Sequence, residues 1–240
     1  MTNDHFLLFT HLGAGMDSAQ TIQHIVESDG FQTLSPQVKV ALFLGGMALI
    51  SAALVTMTAF TRIVIVLSFV RRALSTQEIP PTQVILGLSL FLTLFVMGPT
   101  LTSIEGNAVR PYLDGTIDGQ VAWLRGSASL HEFMIRQTRK TDIALFAKMA
   151  NVKQIQTPAD TPMQVLIPAY VISELKTAFI MGFCLYIPFI LIDLVVSVIL
   201  MSLGMMMMPP MVISTPFKIL LFILVDGWQL IARVLSLSFH

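Results

Sequence analysis

Charge is what this sequence is short of. Only 12% of its 240 residues are Asp, Glu, Lys or Arg, while 55% are hydrophobic. A soluble globular chain carries about twice that charged share. With a mean hydropathy of +0.78, the chain reads as an integral membrane protein. The formal net charge is zero, so no excess of positive charge points to nucleic acid. Cysteine is nearly absent. The single Cys184 excludes an internal disulfide and reads as a small residue within an apolar run. The histidines His5, His11, His24, His131 and His240 are scattered without ligand spacing. No Gly-rich phosphate loop is present. No enzyme chemistry, cofactor or metal site is therefore expected. The start of the chain lacks a basic stretch, an adequate apolar core and a small-residue cleavage site, so no secretory signal is read there.

What the sequence does have is long apolar runs. The first, Val40 to Phe60, continues past Arg62 as Ile63 to Val70. The second runs from Val84 to Ile104, with Gly98-Pro99 near its end. That pair is expected to kink or stop it. The third, Ala178 to Met208, contains Pro188 and Asp193. The fourth, Ile213 to Phe239, contains Pro216, Lys218, Asp226 and Arg233. Each is long enough for a bilayer core of about 30 Å. Between the second and third runs lies most of the charge, including Arg110, Arg125, Arg136, Arg139, Lys140, Lys148 and Lys153. Within it, Leu130, Phe133 and Met134, then Ile143, Phe146, Ala147 and Ala150, recur at helical spacing. Pro158, Pro162 and Pro168 read as a linker back to the membrane.

The fold class expected is an all-α membrane protein. Residues 1–37 form a polar segment, 38–104 a first hydrophobic helical hairpin, 105–176 a small, mostly helical extracytoplasmic domain, and 177–240 a second hydrophobic hairpin. No internal repeat of fixed period is apparent. Arg71 and Arg72 place the first hairpin's loop on the cytoplasmic side. The Pro209-Pro210 turn then shares that side, and the charged middle domain lies opposite.

Two features point towards function. Met205, Met206, Met207 and Met208 form an unbroken block between Gly204 and Pro209-Pro210. Methionine is apolar, unbranched and soft, so such a block re-packs easily. The flanking breakers hold it as a loop rather than a regular helix. Taken alone it reads as a greasy helix end. Thioethers also bind Cu(I), but a solid block offers no defined coordination set. The second feature is charge inside apolar runs: Asp193, Lys218, Asp226 and Arg233. Such residues face protein or water and find partners. They mark either an ion or proton path or structural pairing. Pairing is preferred, because a relay needs several acids close together. Asp226 and Arg233 share a helix face about 10 Å apart, which leaves both to pair with other segments. Glu174, at the entrance to the third run, is either an interfacial solvated charge or a partner for Lys218.

The stretch Ile167-Pro-Ala-Tyr-Val-Ile-Ser-Glu-Leu-Lys-Thr-Ala-Phe179 with Gly182-Phe183 resembles the first signature of the FliP family. Pro216-Phe-Lys-Ile-Leu-Leu-Phe-Ile-Leu-Val-Asp-Gly-Trp228 resembles its second. Phe60-Thr-Arg-Ile63, Pro80-Pro81-Thr-Gln-Val84, Arg136-Gln-Thr-Arg139 and Leu203-Gly204 with the methionine block also fit. The resemblance covers roughly residue 38 to the end. It implies a core subunit of the flagellar type III protein export gate, a non-enzymatic pore in the bacterial inner membrane at the flagellar basal body. It further implies a pentamer-like homo-oligomer in a helical ring, with FliQ-, FliR- and FlhB-type subunits, membrane lipids and unfolded flagellar substrates as partners. The methionine block would be a gasket around the closed channel, and Glu174 and Lys218 an intersubunit charge pair. The alternatives are the related subunit of a virulence-associated injectisome and, from another class, a small-solute or metal transporter using Asp193 and Asp226.

Overall fold

The computed structural model describes residues 35–75, 79–152, 157–205 and 208–239. The expected polar segment 1–37, with the reading of its leader, lies almost entirely outside the described residues. So do Met206, Met207 and His240. Every regular element among the described residues is helical. In chain order these are α1 (Pro36–Thr56), α2 (Phe60–Ala73), α3 (Thr82–Ile104), a π-helical segment (Glu105–Val109), α4 (Arg110–Leu113), α5 (Gly119–Gln137), α6 (Lys140–Met149), a 3₁₀ turn (Pro158–Asp160), α7 (Met163–Ser202), α8 (Pro210–Leu224) and α9 (Gly227–Leu237).

The expected runs map onto these helices with three differences. The first run is two helices, broken at residues 57–59 just before Arg62. The second does not stop at Gly98-Pro99. Its backbone stays helical from Thr82 to Leu113, because a proline inside an apolar helix is tolerated where neighbours and local π adjustment re-satisfy the freed groups. The third begins well upstream, so the expected domain boundary at 176–177 falls inside α7, and Pro168 is a helix residue rather than a linker. Among the described residues, two helices are long and apolar enough to cross a membrane, Thr82–Leu113 and Met163–Ser202. There are three if the bent α8–α9 pair counts as one span.

The chain divides into two compact units. One combines the part up to Ala52 with Thr102–Ser129; the other combines Ala53–Leu101 with Leu130 onwards. In the first unit, α5 approaches the π-helical segment through a small residue: a Cβ on Gly126 would sit 3.7 Å from the Ala108 methyl. The Glu105 carboxylate receives two bonds from the Arg110 guanidinium, at 2.9 and 3.0 Å. This pair is exposed and contributes little.

In the second unit, α2 lies along α7. Its buried residues Ile63, Val66, Leu67 and Val70 recur at three- and four-residue spacing, which lines up one face of a helix. Facing them are Leu166, Tyr170 and Ala178 of α7, all fully buried. The contact is close at Gly182, where a Cβ would fall 2.5 Å from the Phe69 ring. Phe69 in turn meets Phe179 edge-on at 5.7 Å. The buried face of α3 in this unit mixes apolar and hydroxyl side chains, Ile85, Val96 and Met97 with Ser89, Thr93 and Thr100. Ser89 and Thr93 return their hydroxyls to the carbonyls of Ile85 and Ser89, at 2.7 and 2.6 Å. Leu90, Phe91, Leu94 and Phe95 face outwards. Hydroxyl residues inside and bulky apolar ones outside suit a helix that packs in lipid or against protein within it.

Gly182→Ala is expected to destabilise the purified protein by about 1–3 kcal/mol, because the added methyl must displace the Phe69 ring. Gly126→Ala, with room for its methyl, is expected to be neutral or mildly stabilising. Melting in detergent decides. Equal melting temperatures for the Gly182 variant and the parent would mean that the α2–α7 contact is loose.

Candidate functional site

The methionine block sits at the C-terminal end of α7, and the backbone there explains why it turns. Gly204 has φ +73°, a left-handed conformation that glycine adopts at no steric cost. Its N–H donates to the Met201 carbonyl and the Met205 N–H to the Leu200 carbonyl, at 3.1 and 3.0 Å. This is a Schellman ending, which satisfies the carbonyls a helix terminus leaves open. Pro209 and Pro210 then set the entry of α8, with Pro210 in its first turn, where a missing N–H costs nothing. Met205 and Met208 are 40% and 42% exposed, so the two described members of the block stand out from the fold rather than filling it.

Below the turn, α7 and α8 are joined by charge. Lys218 of α8 is buried, with 1% of its surface exposed. Its ammonium donates to Asp193 Oδ2 of α7 at 2.5 Å and to the Ser75 hydroxyl at 2.6 Å. Ser214 donates to the other Asp193 oxygen at 2.5 Å. Ser75 follows the end of α2 with φ +57°, unusual for a residue carrying a Cβ. That conformation aims its hydroxyl at Lys218. Nearer the middle of α7, Phe189 and Phe222 pack at 6.4 Å between centroids.

A second cluster lies towards the start of α7. Arg62 of α2 is 2% exposed and Glu174 fully buried. The guanidinium engages the carboxylate as a fork, Nε to Oε2 at 2.8 Å and Nη2 to Oε1. Nη2 also donates to Gln137 Oε1 at 3.2 Å. Nη1 donates to the Ser238 carbonyl and hydroxyl at 2.8 and 3.0 Å. All five guanidinium N–H groups are thus used. The Phe239 ring lies 3.8 Å from the guanidinium carbon, within cation–π range. Gln137 Nε2 donates to the Phe239 carbonyl at 2.9 Å, and the Tyr170 hydroxyl to the Thr58 carbonyl at 2.9 Å.

An association of Glu174 with Lys218 is not found within the chain: Glu174 pairs with the buried Arg62, and Lys218 with the partly exposed Asp193. The physical reason is position on α7. Glu174 and Asp193 lie 19 residues apart, about 28 Å along the helix, so the two clusters are separate. Asp226 and Arg233 are exposed and make no ion pair among the described residues. Asp226 has φ +49° and sits at the 63° bend between α8 and α9. A left-handed residue cannot continue a helix. Next to it, a Cβ on Gly227 would meet the Phe222 ring at 2.3 Å. Trp228 packs edge-on against that ring at 5.2 Å. The Asp-Gly-Trp element is a corner. Sequence reasoning gave no role to Gln137, Ser238, Ser75 or Ser214, whose types carry no signal apart from their partners.

Residues drawn from both signatures, from Phe60-Thr-Arg-Ile63 and from Arg136-Gln-Thr-Arg139 meet in these clusters. The model of the FliP family matches residues 43–235. The chain belongs to the FliP family. It is similar to the flagellar biosynthetic protein FliP of Pectobacterium carotovorum subsp. carotovorum, 52% identical over 212 residues, which cover 88% of this chain and 82% of that protein. Its similarity to the flagellar biosynthetic protein FliP of Bacillus subtilis is 48% over 216 residues, 90% of this chain and 98% of that one. The corresponding protein of Buchnera aphidicola subsp. Baizongia pistaciae is 46% identical over 235 residues, which span 98% of this chain and 65% of the relative. As a FliP family member, the chain is a component of the flagellar export apparatus, and its apolar helices fit a membrane-associated one.

Glu174→Ala strands a buried guanidinium and is expected to cost about 3–5 kcal/mol. Arg62→Lys keeps the charge but loses the fork, and should recover little of the stability. Equilibrium unfolding in mixed detergent reads both. An Arg62→Lys variant within about 0.5 kcal/mol of the parent would show that charge alone suffices.

Proposed function

We propose that this FliP family member is a pore-forming subunit of the flagellar type III export gate. Its methionine turn closes the conduit through which unfolded flagellar substrates pass. The observation that carries the reading is the turn itself. A glycine ending and a proline pair force the chain to reverse, and Met205 and Met208 project from the reversal, half-exposed. A gate that passes varied unfolded chains cannot rely on fixed hydrogen bonds or one pocket shape. Flexible thioethers exclude water when packed together and yield when a segment enters.

The uncovered apolar faces support a multi-copy assembly. Phe179, Phe183, Leu191, Leu194, Val198 and Phe217 are all more than half exposed. A stripe that long on α7 and α8 is a surface for lipid or for other subunits. A pentamer-like ring of this chain with FliQ-, FliR- and FlhB-type subunits in the inner membrane fits it. Glu174 and Lys218 serve assembly from within, by fixing the shape of the faces that dock. The names of the relatives favour the flagellar branch over the virulence-secretion one.

Replacing Met205, Met206 and Met207 together with alanine is expected to raise ion leakage through assembled, resting gates several-fold. Conductance of gate-containing membranes reads it. Unchanged tightness in intact assemblies removes the gasket.

A further inference from the structure

The two helices that carry the methionine turn are held together unevenly along their length. Near Phe189 and Phe222 they are packed ring against ring. At Asp193, Ser214 and Lys218 they are tied by charge and hydroxyl. Beside that tie and on towards the turn, an open apolar groove of about 550 Å³ runs between them, lined by Leu191, Val195, Ile199, Ile213 and Phe217 among others, without a polar group. Over this last stretch the arms are packed on one side only: Leu200 and Ser214 are buried, while Val195 and Ile199 stand exposed along the groove. From Asp193 to the end of α7, and from the start of α8 to Lys218, is roughly 12–14 Å on either arm. The tie is thus the last ion pair between the arms before the turn among the described residues.

We propose that Asp193, Lys218 and Ser75 are positioning residues that set how far apart the two arms stand, and thereby how tightly the methionine turn closes. The last clause rests on the sealing role argued above; the spacing of the arms does not. Three elements meet at the ammonium. The carboxylate fixes α7 against α8. The Ser75 hydroxyl, held by its left-handed backbone, fixes the end of α2 to the same point. Ser214 occupies the second carboxylate oxygen and keeps the carboxylate turned towards Lys218. Lys218 is buried, so losing Asp193 leaves an ammonium that must find water, and the open groove beside it is the route by which the arms separate to admit it.

The test uses the assembled membrane complex with Cys184 replaced by alanine. Spin labels go on Leu203→Cys and Met211→Cys, both exposed in the parent, one on each arm. The parent should give a narrow intra-chain distance distribution, recorded with labelled subunits diluted among unlabelled ones. Asp193→Asn is expected to broaden it and lengthen its mean by several ångströms. The exchange Asp193→Lys with Lys218→Asp should narrow it again, which guards against general unfolding. Ser75→Gly keeps the backbone conformation and removes only the hydroxyl; it should broaden the distribution partially. An unchanged distribution in Asp193→Asn overturns the proposal, as does a broadening that the exchange leaves uncorrected. Leakage measured on the same samples separates the two readings. Wider arms without leakage sink the gasket but leave the tie standing. Leakage on removing the methionines, with arms unmoved by Asp193→Asn, does the reverse.

Discussion

A guanidinium removed from water must have every N–H answered, and the second unit is built around one that does. Arg62 spends its five donors on Glu174, Gln137 and Ser238. With Arg62 itself, these three groups come from four parts of the chain that share no local sequence relation; Arg62 and Glu174 alone are 112 positions apart. Burying the two charges costs several kcal/mol each, and their attraction repays this only with good geometry and a full set of hydrogen bonds. Both conditions hold, so the arrangement selects one packing out of many of similar apolar area. The apolar contacts around it add to that choice, since Phe69 fits against Gly182 with no room for a methyl. The fork admits one register. Lysine, a point charge on a flexible stem, would not impose it.

The remaining surface is arranged for company. α3 in this unit turns hydroxyls inwards and phenylalanines outwards, and α7 leaves its bulky aliphatic side chains uncovered. In water such a chain would aggregate; in a bilayer or a multi-subunit assembly these are its contact faces. Membership in a family of flagellar export-apparatus components fits such a surface, since its apolar helices suit a membrane-associated component.

Much of this was visible in the sequence and some was not, for identifiable reasons. The helices were legible because uninterrupted apolar runs leave the backbone no other way to satisfy itself in lipid. The methionine turn was legible because Gly204 before and Pro209-Pro210 after are the chemistry of a helix ending and the next beginning. The partner of Glu174 was not. Arg62 looked like an interruption in a greasy run, and nothing in periodicity links two residues on different helices. The corner at Asp226 was read as a charge within a span, because hydropathy registers side chains and not the sign of φ. The Asp-Gly dipeptide was the signal available. The start of α7 was placed too late because the charge of Glu174 resembles a boundary, whereas that residue is buried inside the helix.

Helix α7 has a mechanical consequence. At 40 residues it is about 60 Å long, about twice the thickness of a bilayer core. It is held at two points, by the Arg62 fork at Glu174 and by the Lys218 link at Asp193, and it carries the turn beyond the second. A rod pinned twice is a strut rather than a lever. Its free end runs only from Asp193 to Ser202, about 13 Å at 1.5 Å of rise per residue. A tilt of about 5° over that length moves the tip by roughly 1 Å. The sulfur atoms thus ride on a short, stiff overhang.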